Sequence, residues 1–227
     1  MKATDGSDEA KRRAGESAAE LVEDGAVVGL GTGSTTAHAI RALGEAVAEG
    51  LDVRGVPTSY QSGALAREVG VPVVALADAT PDLAIDGADQ FAGGDLVKGG
   101  GAAHAREKVI DASAARFVVV ADETKRADAL DRPVPVEVLP DAVPVAEARV
   151  RDLGGDPTLR DANRKDGPVV TENGNLVLDC AFGRIDAPAD LAATLSAVPG
   201  VVEHGLFVGL ADEVHVGSET GVSVERF

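Results

Sequence analysis

The sequence predicts an α/β protein, and the arrangement of its apolar segments is the main reason. Over about the first 125 residues, short apolar runs alternate with Ala-rich segments whose apolar residues recur at helical spacing. Glycine-containing turns separate these segments, and after Arg132 the order of strands and helices changes. Together these observations predict a doubly wound, Rossmann-like parallel sheet with a second, smaller ferredoxin-like α+β domain.

The elements of the first domain follow from the periodicity of its apolar residues. Helices are predicted at residues 8–22, 36–47 and 102–112. Buried strands or short apolar runs are predicted at residues 26–30, 53–56, 71–76, 83–85 and 116–120. Gly25, a favoured residue just past a helix end, separates the first helix from the first strand.

After Arg132 the predicted order is strand, helix, strand, strand, helix and strand, which is the order of a ferredoxin-like split unit. The predicted helices of this unit are residues 145–153 and 188–198. Asn173 and Gly174 between two apolar runs predict a two-residue hairpin turn.

The chain is predicted to leave the first domain and then return to it. Two late apolar runs, at residues 206–210 and 214–216, are predicted strands of the first domain. We therefore expect a Rossmann-like catalytic domain of residues 1–132 plus 206–227, and a small ferredoxin-like domain of residues 133–205.

Composition limits what kind of protein this can be. The single cysteine, Cys180, lies inside an apolar run and is predicted to be a small buried strand residue. The four histidines are far apart, so neither a disulfide framework nor a metal-ligand spacing is present, which favours a reducing compartment and metal-free chemistry. The charged N-terminus shows no export signal, and no run approaches the about 18 apolar residues of a membrane span. We expect a cytoplasmic protein without a membrane partner.

Charge gives two further expectations. The formal net charge of −17 argues against nucleic acid as a partner, because such partners need a basic footprint, but it does not exclude a small anionic ligand. Asp and Glu number 38 against 21 Lys and Arg, and aromatic residues are few. This composition is similar to that of halophilic proteins, and it predicts that molar salt stabilises the fold.

The first candidate site is GLGTGSTT at residues 29–36, between a buried strand and the start of a helix. Glycine allows the backbone to approach a ligand, and the N–H groups of a helix N-terminus suit a phosphate. Ser34 and Thr35 add hydroxyl donors. A dinucleotide-binding fingerprint is the competing interpretation, but its third glycine and the acidic residue after the second strand are both missing. A glycine-rich turn without a ligand is the plain structural alternative.

Two further candidates lie at the carboxyl ends of predicted strands, where open α/β sheets bind their ligands. In DGAD at residues 86–89, Asp86 and Asp89 could orient or deprotonate sugar hydroxyls, since a carboxylate close to a hydroxyl can accept its proton. A polar turn is the structural alternative here. Lys125, at the end of another predicted strand, could reach a phosphate, although a surface lysine would fit the sequence equally well.

The sequence KGGG at residues 98–101 opens a predicted helix. Three consecutive glycines expose N–H groups that can face a developing oxyanion, and Lys98 adds a positive charge beside them, which would stabilise an enediolate. Glu107 lies on the following helix between two basic residues, so a solvated helix charge is the alternative to a functional carboxylate. His104 is not expected to ligate a metal, because no second metal-type residue lies four positions further on.

These segments resemble the type A ribose-5-phosphate isomerases in motif order and in approximate spacing, from about Asp8 to the end of the chain. The resemblance is carried by residues 31–35, 86–89, 98–101, 106–108 and 122–125. It continues through residues 135–138, 153–155, 173–175 and 199–202. The combination of motifs is far more specific than any one of them.

The resemblance implies an aldose–ketose isomerase that interconverts D-ribose 5-phosphate and D-ribulose 5-phosphate in the non-oxidative branch of the pentose phosphate pathway. It implies that Glu107 is the base that moves a proton between C1 and C2, and that Asp86 assists opening of the furanose ring. Asp89 and Lys98 would surround the sugar oxygens. The implied substrate-binding residues are Lys11, Thr32, Gly33, Ser34, Thr35, Asp86, Gly87, Ala88, Asp89, Lys98, Gly99, Gly100, Gly101 and Lys125. No metal and no organic cofactor are implied, and the family forms homodimers or homotetramers.

The chain departs from the family's pattern at a few positions. Gln90 stands where many relatives carry Glu, and the loop at residues 91–95 is expected to be a residue shorter than in some of them. The segment at residues 55–61 differs from the Ser-rich version of some relatives, so no ligand contact is assigned to it. Neither Gln90 nor the loop at residues 91–95 touches the implied base.

Three alternative functions stay open at this point. A non-catalytic sugar-phosphate sensor would not need Glu107 or Lys98, and both are present, while no DNA-binding segment is expected beside the core. An aminosugar-phosphate isomerase or deaminase would release ammonia from glucosamine 6-phosphate. A nicotinamide-dependent enzyme would change the fluorescence of its cofactor on titration.

Overall fold

The computed structural model of the protein describes residues 6–163 and 166–227. Its helices are α1 (Asp8–Ala19), α2 (Ser34–Ala48), α3 (Tyr60–Glu68), α4 (His104–Ser113), α5 (Val143–Asp152) and α6 (Pro188–Ser196). Its strands are β1 (Val27–Leu30), β2 (Arg54–Pro57), β3 (Leu83–Gly87), β4 (Gln90–Ala92), β5 (Asp95–Val97), β6 (Phe117–Asp122), β7 (Val134–Val138), β8 (Asp156–Leu159), β9 (Leu176–Ala181), β10 (Val201–His204), β11 (Leu206–Phe207), β12 (Glu213–Gly217) and β13 (Val222–Arg226). Within the described ranges, no helix has the length and apolar character needed to cross a bilayer.

The largest sheet has six strands in the order β13-β12-β6-β3-β1-β2. Five of these strands are parallel, and β13 pairs antiparallel with β12 at one edge. On one face Ala14 of α1 and Leu43 of α2 belong to the same buried cluster as Leu30 of the sheet. On the other face Ile110 of α4 packs with Val27. Helices therefore cover both faces, which confirms the predicted doubly wound architecture.

The second sheet has four antiparallel strands in the order β10-β7-β9-β8. Its elements follow one another as β7, α5, β8, β9, α6 and β10, which is the predicted order. Val150 of α5 and Leu195 of α6 are completely or almost completely buried in the core of this unit. Cys180 of β9 is also fully buried, as predicted. These features confirm the smaller ferredoxin-like sheet.

A third, three-stranded sheet has the order β11-β5-β4 and is antiparallel throughout. Its strand β11 contains only Leu206 and Phe207, so the strand predicted at residues 206–210 is shorter than expected. The reason lies at Gly209, whose φ of +60° is a left-handed conformation that interrupts an extended strand. Its N–H donates a hydrogen bond of 3.1 Å to Asp95 rather than to a strand partner.

The apolar run at residues 71–76 does not form the strand that its composition indicates. Only Val73 makes an isolated parallel bridge, to Gly55. Pro72 lacks an N–H group, and its carbonyl accepts a hydrogen bond of 2.7 Å from Gly55. A ladder cannot continue through a residue without a donor, so this segment lies beside β2 as irregular chain.

Other elements also differ from the sequence-based expectations, and one is β4, which extends into the segment expected to be a loop at residues 91–95. The first helix ends at Ala19 rather than Val22, because its last carbonyls accept the tighter hydrogen bonds of a closing turn from Leu21 and Val22. Helix α3 was not predicted, and it begins at a capping box formed by Ser59 and Ser62. Strand β13 was not predicted either, and it is a largely exposed edge strand.

Candidate active site

The candidate active site lies at the carboxyl ends of β1, β3 and β6, where the following segments meet the turn before α4. These segments enclose a cavity of about 180 Å³. Its lining consists of Lys11, Thr32, Gly33, Ser34, Thr35, Thr36, Gly87, Ala88, Asp89, Lys98, Gly99, Gly100, Gly101, Glu107 and Lys125. Every residue that the sequence assigned to a site is in this lining except Asp86, which is fully buried and bonded to Lys98.

The loop between β1 and α2 brings backbone N–H groups to the cavity. Gly33 precedes α2 with a φ of +143°, a conformation that favours glycine. Among the described residues, no side chain caps α2 at this end, so its first N–H groups can face a ligand. The hydroxyl of Thr32 is bonded to Thr58 at 2.9 Å and to Ser59 at 2.6 Å. These two residues, for which no role was predicted from the sequence, fix the Thr32 side chain.

Asp86 connects this loop to the centre of the site. One of its oxygens accepts hydrogen bonds from the N–H groups of Thr32 at 3.0 Å and Gly87 at 2.6 Å. A Cβ atom at Gly31 would lie only 2.0 Å from the same oxygen. Only glycine therefore allows the loop to approach Asp86 so closely.

Three buried carboxylates surround one ammonium group. The Nζ atom of Lys98 lies 2.8 Å from Asp86, 3.4 Å from Glu107 and 4.0 Å from Asp111, and it donates a hydrogen bond of 2.5 Å to the carbonyl of Gly87. All four charged residues are at most 3% exposed. Asp111 was not assigned to the site by sequence, and it lies one helical turn beyond Glu107.

Burial determines the protonation behaviour of this cluster. Burial raises the pKa of Glu107, Lys98 lowers it and Asp86 raises it, and the resulting pKa is about 8. Burial and the charge of Asp86 raise the pKa of Asp111 well above its ordinary value. Burial lowers the pKa of Lys98, but the nearby carboxylates have the larger effect. The pKa of Lys98 is therefore raised. The site thus holds a charged ammonium beside two carboxyl groups, those of Glu107 and Asp111, whose pKa values are raised.

The glycine turn at residues 99–101 faces the same cavity. Gly99 has a φ of +104°, and the N–H of Gly100 donates a hydrogen bond of 2.7 Å to Asp89. Ala102 has a φ of +59°, a left-handed conformation that costs a residue with a side chain about 1–3 kcal/mol. Local strain at this position indicates that the surrounding contacts fix the shape of the turn.

Two lysines line the cavity from other elements. Lys11 comes from α1, and Lys125 from the short 3-10 helix Glu123–Lys125 that follows β6. Burial lowers the pKa of Lys125, while Asp122 opposes that shift. Lys125 was predicted to reach a phosphate and Lys11 to bind the substrate, and both lie in the cavity lining.

Two residues that the sequence singled out, Gln90 and His104, lie outside the cavity lining. Gln90 is almost fully buried, and its carbonyl oxygen accepts hydrogen bonds from the N–H groups of Asp131 at 2.8 Å and Arg132 at 3.0 Å. It therefore fixes the chain just before the second sheet. His104 is fully buried against Gly99.

The fold is that of a doubly wound α/β protein. Its cavity combines a helix N-terminus and two lysines, which suit an anionic ligand, with buried carboxyl groups, which suit acid–base chemistry. The chain matches the family model of ribose 5-phosphate isomerase A (phosphoriboisomerase A) over residues 54–221, and it belongs to that family.

Individual relatives match almost the whole chain. The chain is 68% identical over 224 residues to ribose-5-phosphate isomerase A of Natronomonas pharaonis, a match that covers 99% of this chain and 100% of the relative. It is similar to the structure of ribose 5-phosphate isomerase A from Methanocaldococcus jannaschii, with a TM-score of 0.92, 41% identity, and coverage of 96% and 98% of the two chains. It is also similar to a D-ribose-5-phosphate isomerase in complex with phospho-erythronic acid, with a TM-score of 0.94, 43% identity, and coverage of 96% and 98%. The relatives include proteins of halophilic archaea.

Proposed function

We propose that the protein interconverts D-ribose 5-phosphate and D-ribulose 5-phosphate through an enediolate. The observation that carries this proposal is the buried carboxylate of Glu107 in the cavity lining, 3.4 Å from the ammonium of Lys98. Family membership supports the proposal, as does the complex of a relative with phospho-erythronic acid, a sugar-acid phosphate.

The substrate's phosphate would bind where positive groups line the cavity. The N-terminus of α2 supplies N–H groups and the hydroxyls of Ser34 and Thr35, and Lys11 and Lys125 supply positive charge. Anchoring one end of a five-carbon chain would place its other end against the carboxylate cluster. Binding of the phosphate therefore contributes orientation at the reacting carbons.

Proton transfer would then occur between two neighbouring carbons. Asp86 would first assist opening of the furanose ring. Glu107 then takes the proton from C2, and the C1 carbonyl oxygen gains negative charge as the enediolate forms. Lys98 and the N–H groups of the glycine turn at residues 99–101 would stabilise that charge. Glu107 returns the proton to C1, while the hydroxyl proton of O2 passes to O1, so the aldose becomes a ketose without a net change of atoms.

The magnitudes show why several groups are needed. A positioned acid–base group supplies about 10²–10⁴-fold in rate. The loss of one donor to an oxyanion costs about 10²–10³-fold. Neither contribution alone accounts for an enzymatic acceleration, so we expect Glu107 and Lys98 to act together.

The first prediction concerns the substitution Glu107→Gln. Glutamine keeps the size of the side chain but cannot accept the C2 proton, so turnover of ribose 5-phosphate should fall by at least about 10²-fold. Binding of inorganic phosphate should change less than about twofold, since the phosphate contacts lie on other residues. Steady-state kinetics in molar salt and phosphate titration by calorimetry check both parts.

Glu45→Gln is a matched control, because Glu45 is an exposed glutamate on α2 away from the cavity lining. It should leave kcat unchanged. A Glu107→Gln protein with near-normal kcat would show that Glu107 is not the base. A wild-type protein that binds ribose 5-phosphate without converting it would support the sensor interpretation, and ammonia release from glucosamine 6-phosphate would support the aminosugar enzyme.

We also propose a metal-independent cytoplasmic enzyme that forms a homodimer or homotetramer. The charge of the Lys98 ammonium at the centre of the carboxylate cluster supports the first part, because it occupies the place a cation would take. The buried free thiol of Cys180 suits a reducing compartment. The exposed apolar side chains of Tyr60, Val109 and Val202 suit a contact with a second copy. Activity after dialysis against a chelator, cell fractionation and light scattering test the three parts.

A further inference from the structure

An arginine from the second sheet contacts the glycine turn of the candidate site. Nη1 of Arg160 donates a hydrogen bond of 2.8 Å to the carbonyl of Gly99 and a longer one of 3.4 Å to the carbonyl of Gly100. Arg160 directly follows β8 and is 61 residues from Gly99 in the chain. Its side chain is only 14% exposed.

Asp179 of β9 holds the guanidinium in place. It accepts a hydrogen bond of 2.8 Å from Nε of Arg160, and its other oxygen accepts one from Nη2. Such paired contacts fix the plane of the guanidinium as well as its distance. The remaining nitrogen, Nη1, is therefore directed at the turn with little rotational freedom.

The planarity of the peptide bond connects this contact to the cavity. In a trans peptide the C=O and N–H groups point in opposite directions, and the described residues contain no cis peptide. When Arg160 holds the carbonyl of Gly99, it also fixes the N–H of Gly100 on the opposite side, where it donates to Asp89 at 2.7 Å. The weaker contact with the carbonyl of Gly100 orients the N–H of Gly101 in the same way.

The turn needs an external contact of this kind. Glycine has the widest conformational freedom of any residue, so three in succession do not fix the direction of their own N–H groups. Within the turn, Gly99 also accepts a hydrogen bond of 2.9 Å from the N–H of Ala102. The Arg160 contact adds a donor from a different sheet and places a positive charge behind the peptides.

We propose that Arg160 is a positioning residue, which keeps the N–H of Gly100 on Asp89 and directs the N–H of Gly101 towards the charge that develops on the substrate. The proposal rests on the proposed isomerase function, since it assigns the turn to stabilisation of the enediolate. It makes Arg160 and Asp179 part of the machinery of the site although neither lines the cavity.

The decisive variant is Arg160→Met, which keeps a long side chain and removes the donors. Asp179 is 31% exposed, so the loss of its partner does not leave a buried charge without compensation. We expect kcat to fall about tenfold, less than the about 10²–10³-fold that removal of a direct oxyanion donor costs. Arg160→Lys, which keeps a charged donor, should recover at least half of the lost rate on a logarithmic scale.

Three measurements distinguish positioning from general support of the fold. Binding of inorganic phosphate to Arg160→Met should change less than twofold. Binding of phospho-erythronic acid, whose carboxylate imitates the enediolate oxygens, should weaken about tenfold. Hydrogen exchange should accelerate in the peptide containing residues 98–103 and stay unchanged elsewhere.

Arg184→Met is the matched control, because Arg184 forms an exposed ion pair with Asp186 and does not contact the turn. It should leave every measurement unchanged.

An unchanged kcat in folded Arg160→Met, or a loss of phosphate and phospho-erythronic acid binding by the same factor, would overturn the proposal. If Arg160→Met does not fold, Asp179→Asn gives the same readouts with a smaller effect. Should the wild type fail to isomerise ribose 5-phosphate, the function fails, and the exchange rates at residues 98–103 still decide whether Arg160 orients the turn.

Discussion

Glu107 lies where its ionised form is disfavoured, so the pH at which it loses its proton limits the range in which it can act as a base. Its pKa is raised by burial to about 8 from the ordinary 4.5. A base works in its deprotonated form, and a raised pKa means that activity is gained as the pH rises. We therefore predict that kcat/KM increases between pH 6 and pH 9, with an inflection far above that of an ordinary glutamate.

The control for this profile is the binding of ribose 5-phosphate to the Glu107→Gln variant over the same pH range. A phosphate monoester loses its second proton near pH 6, so binding can also vary with pH. Dividing the two profiles isolates the contribution of the carboxylate. A corrected kcat/KM that is constant from pH 6 to pH 9 would contradict a raised pKa at Glu107.

Asp86 and Asp111 both flank Lys98, but they differ in their contact with its ammonium. Burial and the charge of Asp86 raise the pKa of Asp111 well above its ordinary value, which favours its protonated form, whereas Asp86 lies closest to the ammonium, at 2.8 Å. An amide imitates a protonated carboxyl, so Asp111→Asn should keep kcat within about threefold of wild type. Asp86→Asn should lower kcat at least about 10²-fold, because it removes a charge that holds Lys98 and the loop before α2.

Kinetics of the two isosteric variants at pH 7 check this prediction, and thermal unfolding checks that both are folded. Equal losses in both would show that Asp111 is ionised in the working enzyme. Equal retention would show that the charge of Asp86 is dispensable.

Sequence motifs located most of the site, since glycine turns and acids at strand ends have recognisable local patterns. Asp111 has no motif of its own, and its position one turn beyond Glu107 was the available signal. Thr58 and Ser59 act on Thr32, and Arg160 acts on Gly99, across long separations in the chain. The Arg160 contact depends on how the two sheets meet, and the Thr32 contacts depend on how β1 and β2 align within one sheet; local sequence encodes neither.

Among the elements, the loop from β1 to α2 tolerates little added volume at Gly31. A side chain at Gly31 would meet the carboxylate of Asp86 at 2.0 Å, and Asp86 is fixed by Lys98 and two N–H groups. We predict that Gly31→Ala lowers kcat/KM at least about 10²-fold, the effect typical of a 1 Å misplacement in a catalytic site.

Gly221→Ala is the matched control, because a Cβ atom there would meet no other atom within 4 Å. Its kcat/KM and unfolding temperature should equal those of wild type. A Gly31→Ala protein that is folded and fully active would mean that Asp86 can move without loss, which would remove it from the site.

The alternation of strands and helices could be predicted because buried strands and amphipathic helices have distinct periodicities. Helix α3 escaped prediction because its capping box has Ser62 where Glu or Gln is usual. At residues 71–76 a strand was predicted that does not form. The apolar residues indicated a strand, but Pro72 has no N–H group to donate to a ladder. Strand β13 is exposed, so no buried face identified it.

We propose that the chain divides into domains of residues 1–132 plus 206–227 and of residues 133–205. The pairings support this division, because the four-stranded sheet is built from elements of the second range alone. Strand β11, at the return point, pairs with β5 of the first range. Limited proteolysis near residues 132 and 205 would test whether the two units separate.

For the whole molecule, the excess of acidic residues is the dominant electrostatic property. The formal net charge of −17 produces repulsion that opposes the compact state, and salt screens it. The screening length falls from about 10 Å at 0.1 M salt to about 3 Å at 1 M. We predict that the free energy of unfolding rises between 0.1 M and 2 M potassium chloride.

Urea unfolding at constant pH across this series measures the effect. Activity at each concentration serves as the control that the folded state is the native one. An unfolding free energy that does not depend on salt would mean that the acidic residues are spaced too widely to destabilise the fold.

The position of β6 between β3 and β12 has a consequence for how the protein is made. Arg116, just before β6, pairs with Glu213 of β12, and the two residues are 97 positions apart in the chain. At about 5–20 residues per second, a ribosome needs about 5–20 s to synthesise the chain between them. During this interval the nascent sheet has an open edge at β6, the kind of surface that joins edges of other chains. Helix α1 packs so closely on β12 that a side chain at Gly217 would collide with Ala10. Lys11 is thus the first residue of the site to be synthesised, and the surroundings of its helix are complete only once β12 has been made.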